Sequence, residues 1–301
     1  MKRLFDLGSR DILDLNGKDI LKSIHATEGR AFVSEIIAPF PPILGDVSNA
    51  EVAAAFGADI ILVNMYDVEK PFINGINSES PLKAISDLTG RLVAVNLEPI
   101  DYGAELSVSR ESVGTGRRAS LENVKLLYEA GCRIVVLTGN PATGVSSDAM
   151  AKSVMKIKNE FGDKIVIIAG KMHSAGVISE TGSSIIDEYA INDLVSAGAD
   201  IILIPAPGTI PGFTPERVSN LISHIHSMDK LAMTAIGTSQ EGADMQTIRT
   251  IALNAKMAGA DIHHIGDCGM SPGIASPENI MAYSIAIRGK RHTYRVMAKR
   301  G

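Results

Sequence analysis

The chain has 301 residues and a formal net charge of −5 at pH 7, so its composition gives no general electrostatic reason to bind nucleic acid. Its two cysteines, Cys132 and Cys268, form neither a disulfide framework nor a paired-cysteine metal motif. No apolar run reaches the ~18 residues of a membrane span, and Asp6 interrupts the N-terminal stretch before a signal-peptide core can form, so we expect a soluble, cytoplasmic protein with no membrane partner.

The first predicted element is an amphipathic helix over residues 10–25. Apolar residues recur at helical spacing among aspartates and lysines, and Gly17 weakens the middle of this helix. Residues 1–28 form an N-terminal helical extension in this interpretation. We expect the extension to cover the floor of the fold, where the amino ends of the strands would otherwise be open.

A unit made of a helix end, a glycine and a short apolar strand recurs along the rest of the chain. Strands that are apolar on both faces are typical of a parallel sheet covered by helices. The repetition predicts a single-domain α/β chain, with a (β/α)8 TIM barrel over residues 29–288. The predicted units cover residues 31–38, 56–64, 90–96, 130–138, 164–170, 199–205, 230–237 and 258–266.

Glu35 lies inside the apolar run of the first predicted strand. A carboxylate in such a run must be paired, hydrogen-bonded or neutralised. Two interpretations stay open: a structural carboxylate bonded within the barrel, or a ligand-binding or acid–base residue.

Polar residues follow the second and third predicted strands. Asn64 and Asp67 follow the second strand, and Asn96 and Glu98 follow the third. In a TIM barrel, side chains just past the carboxyl ends of the strands face the active-site mouth. We therefore take the two carboxylates as catalytic candidates and the two asparagines as substrate-binding candidates. The alternative is that Asp67 and Glu98 bond loop amides.

The connection over residues 100–119 is the longest without a predicted element of its own, and it carries Arg110, Arg117 and Arg118. Loops of this length are often lids or binding loops, and an arginine-bearing lid suits an anionic substrate. A solvated surface excursion is the alternative.

The fourth strand is followed by Thr138, and the fifth by Lys171 and His173. Thr138 is a substrate-binding candidate by its position. Lys171 and His173 are two residues apart in a segment expected to be extended, so both side chains should point to the same side and reach one substrate. A lysine there could form a Schiff base or neutralise an oxyanion, and a histidine could move a proton near neutral pH.

Glycine-rich loops follow the seventh and eighth strands, and the second of them contains Asp267, a further catalytic candidate. TIM barrels commonly bind phosphate at this place through backbone amides and a helix N-terminus, although such loops can also be ordinary tight turns. The substrate-binding candidates in these loops are Gly237, Thr238, Ser239, Gly266 and Gly269.

His263 and His264 alternate in the last strand, so one faces the barrel and the other faces the helices; the sequence leaves open which. Residues 289–301 form a basic C-terminal tail, which either lies in solvent or pairs with acidic helices.

The segments MKRLFDL, GADIILVN, VVLTGNPATG and AGADIHHIGDCG are spread over the whole chain. In these segments the chain resembles an uncharacterised bacterial TIM-barrel family whose members often bear the name "haloacid dehalogenase-like hydrolase". A haloacid dehalogenase needs a strand-end Asp-x-Asp pair, which this sequence lacks, so that activity is not expected. The stretch from Val63 to Asp67 with Pro71-Phe72, and the stretch from Val136 to Gly139, are more remotely similar to the BtpA family. That resemblance implies no established reaction.

Together these features predict a TIM-barrel enzyme of lyase or isomerase type. Its expected substrate is a small anionic, phosphorylated metabolite held by the loops after strands 7 and 8. The alternative is a BtpA-like barrel that binds a metabolite or a protein without turnover. No motif demands a cofactor, and a divalent metal such as Mg²⁺ on Asp67, Glu98 and Asp267 is a third hypothesis. The sequence leaves open whether the chain forms a homo-oligomer.

Overall fold

The structure, a computed structural model, describes residues 2–299 of the chain. Eight parallel strands close into a barrel in chain order, because each strand pairs with the next and the last strand pairs with the first. This arrangement confirms the predicted α/β TIM barrel. The strands are β1 (Ala31–Ile37), β2 (Ile60–Asn64), β3 (Leu92–Leu97), β4 (Ile134–Leu137), β5 (Val166–Gly170), β6 (Ile201–Pro205), β7 (Leu231–Ile236) and β8 (Ile262–Ile265).

Helices surround the barrel and connect the strands. Several begin at a residue whose side chain accepts a backbone N–H of the first turn, as Ser48 does for Glu51. In the part of the chain that the structure describes, no helix combines the length and the apolar character needed to cross a bilayer. Within residues 2–299 the α-helices are α1 (Ser9–Leu13), α2 (Gly17–His25), α3 (Asn49–Ala55), α4 (Pro81–Thr89), α5 (Leu121–Glu129), α6 (Ser147–Phe161), α7 (Glu188–Ala197), α8 (Pro215–Ser227), α9 (Met245–Met257) and α10 (Pro277–Ala298).

Alternate strand residues point to opposite sides of the sheet, so the strands build two separate apolar cores. Phe32 and Ile61 point outward and pack against the helices, whereas Val33 and Leu62 point into the barrel. Every residue of β1 is buried, since both faces of the strand are covered. The barrel interior is packed with side chains, which leaves ligand binding to its ends.

The N-terminal helices close the floor of the barrel. Ile20 and Ile24 of α2 are buried, and they join Leu4 and Leu7 in the same core as the inward-facing strand residues. This confirms the floor-covering position predicted for the N-terminal extension.

The extension contains two helices rather than the single helix predicted over residues 10–25. Asn16 begins α2, because its side chain accepts the backbone N–H of Asp19 at 3.0 Å. Gly17 therefore lies in the first turn of α2 and not in the middle of a helix. A Cβ atom at this position would lie 2.5 Å from the carbonyl carbon of Ile165, so the close approach to the segment before β5 requires glycine.

The basic C-terminal segment follows a kink in α10 at Gly289, where φ is 75° and ψ is 164°, and it packs on the N-terminal residues. Arg295 forms an ion pair with Asp6 at 2.7 Å, and Lys299 donates to two backbone carbonyls of the N-terminal segment. Up to Lys299 the tail is thus attached to the floor of the barrel, partly through an acidic side chain. The last two residues lie outside the described part of the chain.

Candidate active site

The inward-facing residues at the carboxyl ends of the strands are polar, whereas those deeper in the barrel are aliphatic. On β2, Ile60 and Leu62 lie below Asn64, and the same order leads to Asn96 on β3 and Thr138 after β4. A cavity of about 750 Å³ opens above this polar layer. The sequence-predicted residues that line it are Glu35, Asn64, Asn96, Thr138, His173, Gly237, Thr238, Ser239, Gly266 and Asp267.

Three asparagines form a hydrogen-bonded cluster in the polar layer. The side-chain amides of Asn64 and Asn140 donate to each other's oxygens at 2.8 and 3.1 Å, and the Asn96 amide donates to Asn64 Oδ1 at 3.1 Å. The cluster is fixed at its edges, because Asn64 also donates to Asp267 at 3.1 Å and Asn96 accepts the backbone N–H of Thr138 at 3.3 Å. Amide groups tied in this way present donors and acceptors in a preorganised arrangement.

Glu35 pairs with His264 at the base of the cavity. In the β1–β8 register Val33 is opposite His264, so His264 points into the barrel just below Glu35. Glu35 Oε2 and His264 Nε2 are 2.9 Å apart, and the two residues are 3% and 0% exposed. Burial, and then the charge of Asp267, raises the pKa of Glu35 well above the usual carboxyl range, while burial lowers the pKa of His264 to about 4. Burial thus disfavours the charged form of both groups.

The neighbouring His263 points to the helix layer, which settles the question that the sequence left open. Its Nε2 donates to the carbonyl oxygen of Gly29 at 3.2 Å, and its ring packs against Tyr283 of α10. Burial lowers the pKa of His263 to about 3, so this histidine is a neutral part of the outer core.

Glu241, Asp267 and Cys268 form an acidic cluster on the loops that follow β7 and β8. One side-chain oxygen or sulfur of each lies within 4.8 Å of the others. Burial raises the pKa of Glu241 to about 7, with a smaller contribution from the charges of Asp267 and Glu35. Burial and the adjacent Asp267 carboxylate raise the pKa of the Cys268 thiol to about 12, so the thiol keeps its proton and is not a nucleophile.

His173 lines the cavity on the side of β5. Its Nδ1 accepts the backbone N–H of Ala175 at 3.1 Å, so the proton of the neutral ring is on Nε2. Burial, and then the charge of Lys171, lowers the pKa of His173 to about 4. His173 thus offers a neutral N–H donor, and its surroundings do not favour the proton transfer near neutral pH that the sequence suggested.

Lys171 lies outside the cavity lining, so the expectation that Lys171 and His173 point to the same side is wrong. The strand ends at Gly170, whose φ of 153° takes the chain out of the regular alternation. Lys171 is 1% exposed; its ammonium group donates to the carbonyl oxygen of Val145 at 2.8 Å and forms an ion pair with Glu180. Burial lowers the pKa of Lys171 to about 7, whereas the charge of Asp101 acts in the opposite direction. The lysine ties the loop after β5 to the loop after β4.

Glu98 is buried beside the cavity and holds the loops together. It forms an ion pair with Arg117 and accepts the backbone N–H of Asn140 at 3.0 Å. Of these three residues, Arg117 and Asn140 line the cavity and Glu98 does not. Glu98 therefore positions Arg117 and Asn140 in this structure.

Asp67 also lies outside the cavity lining. Its Oδ1 accepts the backbone N–H groups of Glu69 and Lys70 at 2.9 and 3.2 Å, and a Cβ atom at Gly116 would overlap the Asp67 carboxylate. These contacts match the alternative in which Asp67 bonds loop amides. They also place it away from the acidic cluster, so Asp267 is the one member of the hypothesised Asp67–Glu98–Asp267 metal set that lines the cavity.

The glycines of the loops after β7 and β8 are needed for close packing. A Cβ atom at Gly237 would overlap the Met172 sulfur, and one at Gly269 would lie 2.6 Å from the backbone nitrogen of Ser276. The amides of Gly266 and Gly269 donate to backbone carbonyls at 2.8 and 3.0 Å. These two amides are therefore not free to bind an anion. Gly269 itself does not line the cavity.

The loop over residues 100–119 covers one edge of the cavity and is bonded to its neighbours. Ser107 donates to the backbone of Gly176, and Arg110 donates to the carbonyl oxygen of Thr143 at 2.9 Å. Arg117 is the arginine of this loop that lines the cavity. The loop has the position expected of a lid, and its arginines are engaged with protein groups.

Three residues of the site were not singled out from the sequence: Asn140, Glu241 and Cys268. Asn140 carries the same signal as the chosen candidates, because it follows a strand end. Glu241 and Cys268 lie in loops where the glycines suggested an anion site, and only the fold shows that their side chains meet.

Residues 5–300 match the family described as "Domain of unknown function (DUF7916)". The chain belongs to this family. The match supports neither the haloacid dehalogenase name nor the BtpA resemblance. No curated protein matches the sequence.

Solved structures share the barrel at low sequence identity. An archaeal fructose 1,6-bisphosphate aldolase superposes with a TM-score of 0.56 at 15% identity, covering 90% of this chain and 98% of that chain. The YdjI aldolase from Escherichia coli K12 superposes at 0.50 with 12% identity, covering 94% and 98%. A 2,3-dimethylmalate lyase of the PEP mutase/isocitrate lyase superfamily also gives 0.50 at 12% identity, covering 83% and 81%. At these identities the likeness shows a common fold.

Proposed function

We propose that this chain is a lyase- or isomerase-type enzyme in which Glu35 transfers a proton to or from a small anionic metabolite bound in the mouth cavity. The observation that carries the proposal is the buried pair of Glu35 and His264 at the base of that cavity, with its atoms 2.9 Å apart. Burial raises the pKa of Glu35, and a carboxyl group with a raised pKa is suited to act as a general acid.

The proton step follows from the environment of Glu35. In its acid form Glu35 donates a proton to the carbon or oxygen atom that becomes basic as a substrate bond breaks, and it becomes a carboxylate. In the reverse direction the carboxylate removes that proton. The hydrogen bond to His264 holds the carboxyl group in place through both states.

The substrate's anionic group is best placed on the side of the cavity formed by β3 to β5. This side offers the Asn140 amide and the Nε2–H group of His173, and the Arg117 guanidinium, which is paired with Glu98, lines the same side. The opposite side carries Glu241 and Asp267, and like charges there disfavour an anion. This placement revises the expectation that the loops after β7 and β8 hold the anion.

The comparisons support the reaction class by analogy of fold. Two aldolases and a lyase are among the barrels that superpose on this chain. The same barrel fold hosts many unrelated reactions, so the side chains of the site decide which chemistry occurs.

A proton-exchange screen in D2O tests the proposal. Wild-type protein is incubated with a panel of small 2-oxo acids, hydroxy acids and sugar phosphates, and proton NMR follows loss of C–H signals and formation of products. We expect at least one panel member to exchange a C–H proton or to turn over. Saturation-transfer NMR on the same samples reports binding. If panel members bind and none exchanges or reacts, the barrel binds a metabolite without turnover and the proposal is wrong.

A further inference from the structure

We propose that the acidic cluster of Glu241, Asp267 and Cys268 binds a divalent cation of borderline softness, such as Zn²⁺ or Co²⁺. Potential ligand atoms of the three side chains lie within 4.8 Å of one another, a spacing that one ion can bridge. All three residues line the mouth cavity, so an ion bound there would face the substrate.

The loops that carry the three residues are fixed against each other. A Cβ atom at Gly242 would lie 2.5 Å from the carbonyl oxygen of Gly269, so the two loops are in close contact. Within the second loop, the backbone N–H of Gly273 donates to the backbone oxygen of Asp267 at 2.8 Å. The backbone of Cys268 also pairs with Pro272 and Ile274 in single β-bridges. A preorganised backbone of this kind holds ligands at fixed separations.

A buried oxygen without a hydrogen-bond partner points independently to a missing ligand. Glu241 is 2% exposed, and within residues 2–299 its Oε2 atom is buried and has no hydrogen-bond partner. Burying a carboxylate oxygen without a partner is costly. A cation bound by Glu241 would remove that cost.

The charge balance of the cluster favours the same interpretation. Within the described residues neither Glu241 nor Asp267 forms an ion pair with a lysine or arginine. Arg117, the cation that lines the cavity, is paired with Glu98. A divalent ion would neutralise two carboxylates and stabilise the thiolate form of Cys268.

The donor set selects the class of metal. Carboxylate oxygens alone suit Mg²⁺ or Ca²⁺, whereas a cysteine sulfur beside them favours Zn²⁺, Co²⁺ or another transition metal. Three protein ligands leave a coordination position for water or a substrate oxygen. The set differs from the hypothesised Mg²⁺ site, with which it shares only Asp267.

A shared proton is the competing explanation for the cluster. Two close carboxyl groups can hold one proton between them and so reduce their repulsion without a metal. In that arrangement the Cys268 thiol donates to Asp267 Oδ1 at 3.4 Å, whereas a metal ion would bind the sulfur directly, which makes the cysteine the discriminating residue.

The test is titration of chelator-treated, full-length protein with Co²⁺, followed by absorption spectroscopy and calorimetry. We expect one Co²⁺ per chain, a thiolate-to-cobalt charge-transfer band in the near ultraviolet, and displacement of Co²⁺ by Zn²⁺. Cys268→Ser should abolish the band, and Glu241→Gln should weaken Co²⁺ binding by about tenfold or more. Cys132→Ser is the matched control, because Cys132 is buried outside the cavity and its loss should leave the band intact.

Two results would overturn the metal proposal. One is the lack of stoichiometric Co²⁺ binding by folded wild-type protein, with folding checked by circular dichroism. The other is a cobalt spectrum and affinity that Cys268→Ser leaves unchanged. The site shares its cavity with the proposed function, but metal binding is measured without substrate, so either proposal can fail alone.

Discussion

At the scale of single residues, Lys171 shows how burial decides a role. Its ammonium group is held by Glu180 and the backbone of Val145, and it does not line the cavity. A lysine engaged in this way stabilises the loops and is not poised for Schiff-base chemistry.

We expect Lys171→Met to lower the free energy of unfolding by about 3 kcal/mol, because it leaves Glu180 without its buried partner. Urea unfolding measures the change. The double variant with Glu180→Gln should recover part of the loss, since no unpaired charge then remains. A stable Lys171→Met protein with lost turnover, or a borohydride-trapped lysine adduct, would contradict this structural role.

The Glu241 carboxyl group makes the free energy of unfolding depend on pH. Its pKa rises from 4.5 to about 7 on folding, so the folded state binds its proton more tightly than the unfolded state does. Its contribution to stability is therefore full below pH ~4.5 and is lost as the pH rises towards 7.

In metal-free protein, Glu241→Gln should remove this loss. Relative to wild type, the variant should gain up to about 3 kcal/mol in unfolding free energy between pH 4.5 and pH 8. Urea titrations at the two pH values measure the gain. An equal difference between the two proteins at both pH values would show that Glu241 is not perturbed by burial.

At the scale of elements, the loop over residues 100–119 shapes the edge of the cavity, and its end residues Ile100 and Ala119 pack against the outer core. Arg110 bonds it to the loop after β4 through the carbonyl oxygen of Thr143, and the guanidinium group lies against Gly144, where a Cβ atom would collide with it. Val108 of this loop lines the cavity although it is half exposed.

Arg110→Met should therefore loosen the loop and leave the barrel intact. We expect faster limited proteolysis within residues 100–119 and a raised KM, with the unfolding free energy changed by no more than about 0.5 kcal/mol. Lys83→Met on α4 serves as a control, because it removes an exposed cation that pairs with Asp87 of its own helix. Cooperative unfolding at much lower urea in Arg110→Met would place the loop in the folding core instead.

At the scale of the whole molecule, the eight strands were predictable because each must be apolar on both faces, and this leaves a pattern in the sequence. Asn64, Asn96 and Thr138 were predictable as cavity residues because they lie at the carboxyl ends of their strands, which face the mouth of a TIM barrel. The direction of Lys171 could not be predicted, because it depends on the positive φ of Gly170.

The acidic cluster could not be predicted from the sequence, because its formation also depends on the three-dimensional fold. Glu241 and Asp267 are separated along the chain, and they meet only because neighbouring strands of the barrel bring their loops together. The glycines around them pack against neighbouring atoms, and from the sequence alone this role looks the same as that of an anion-binding loop.

The most direct test of the central claim is the rate of C–H exchange in D2O for Glu35→Gln, with the ligand found by screening wild-type protein. Gln keeps the shape and a hydrogen bond to His264, so the fold should persist while the transferable proton is lost. We expect exchange to fall by about a hundredfold or more, and Glu160→Gln, an exposed change on α6, to exchange at the wild-type rate. Wild-type exchange in folded Glu35→Gln protein would contradict the assignment of Glu35 as the proton-transfer residue.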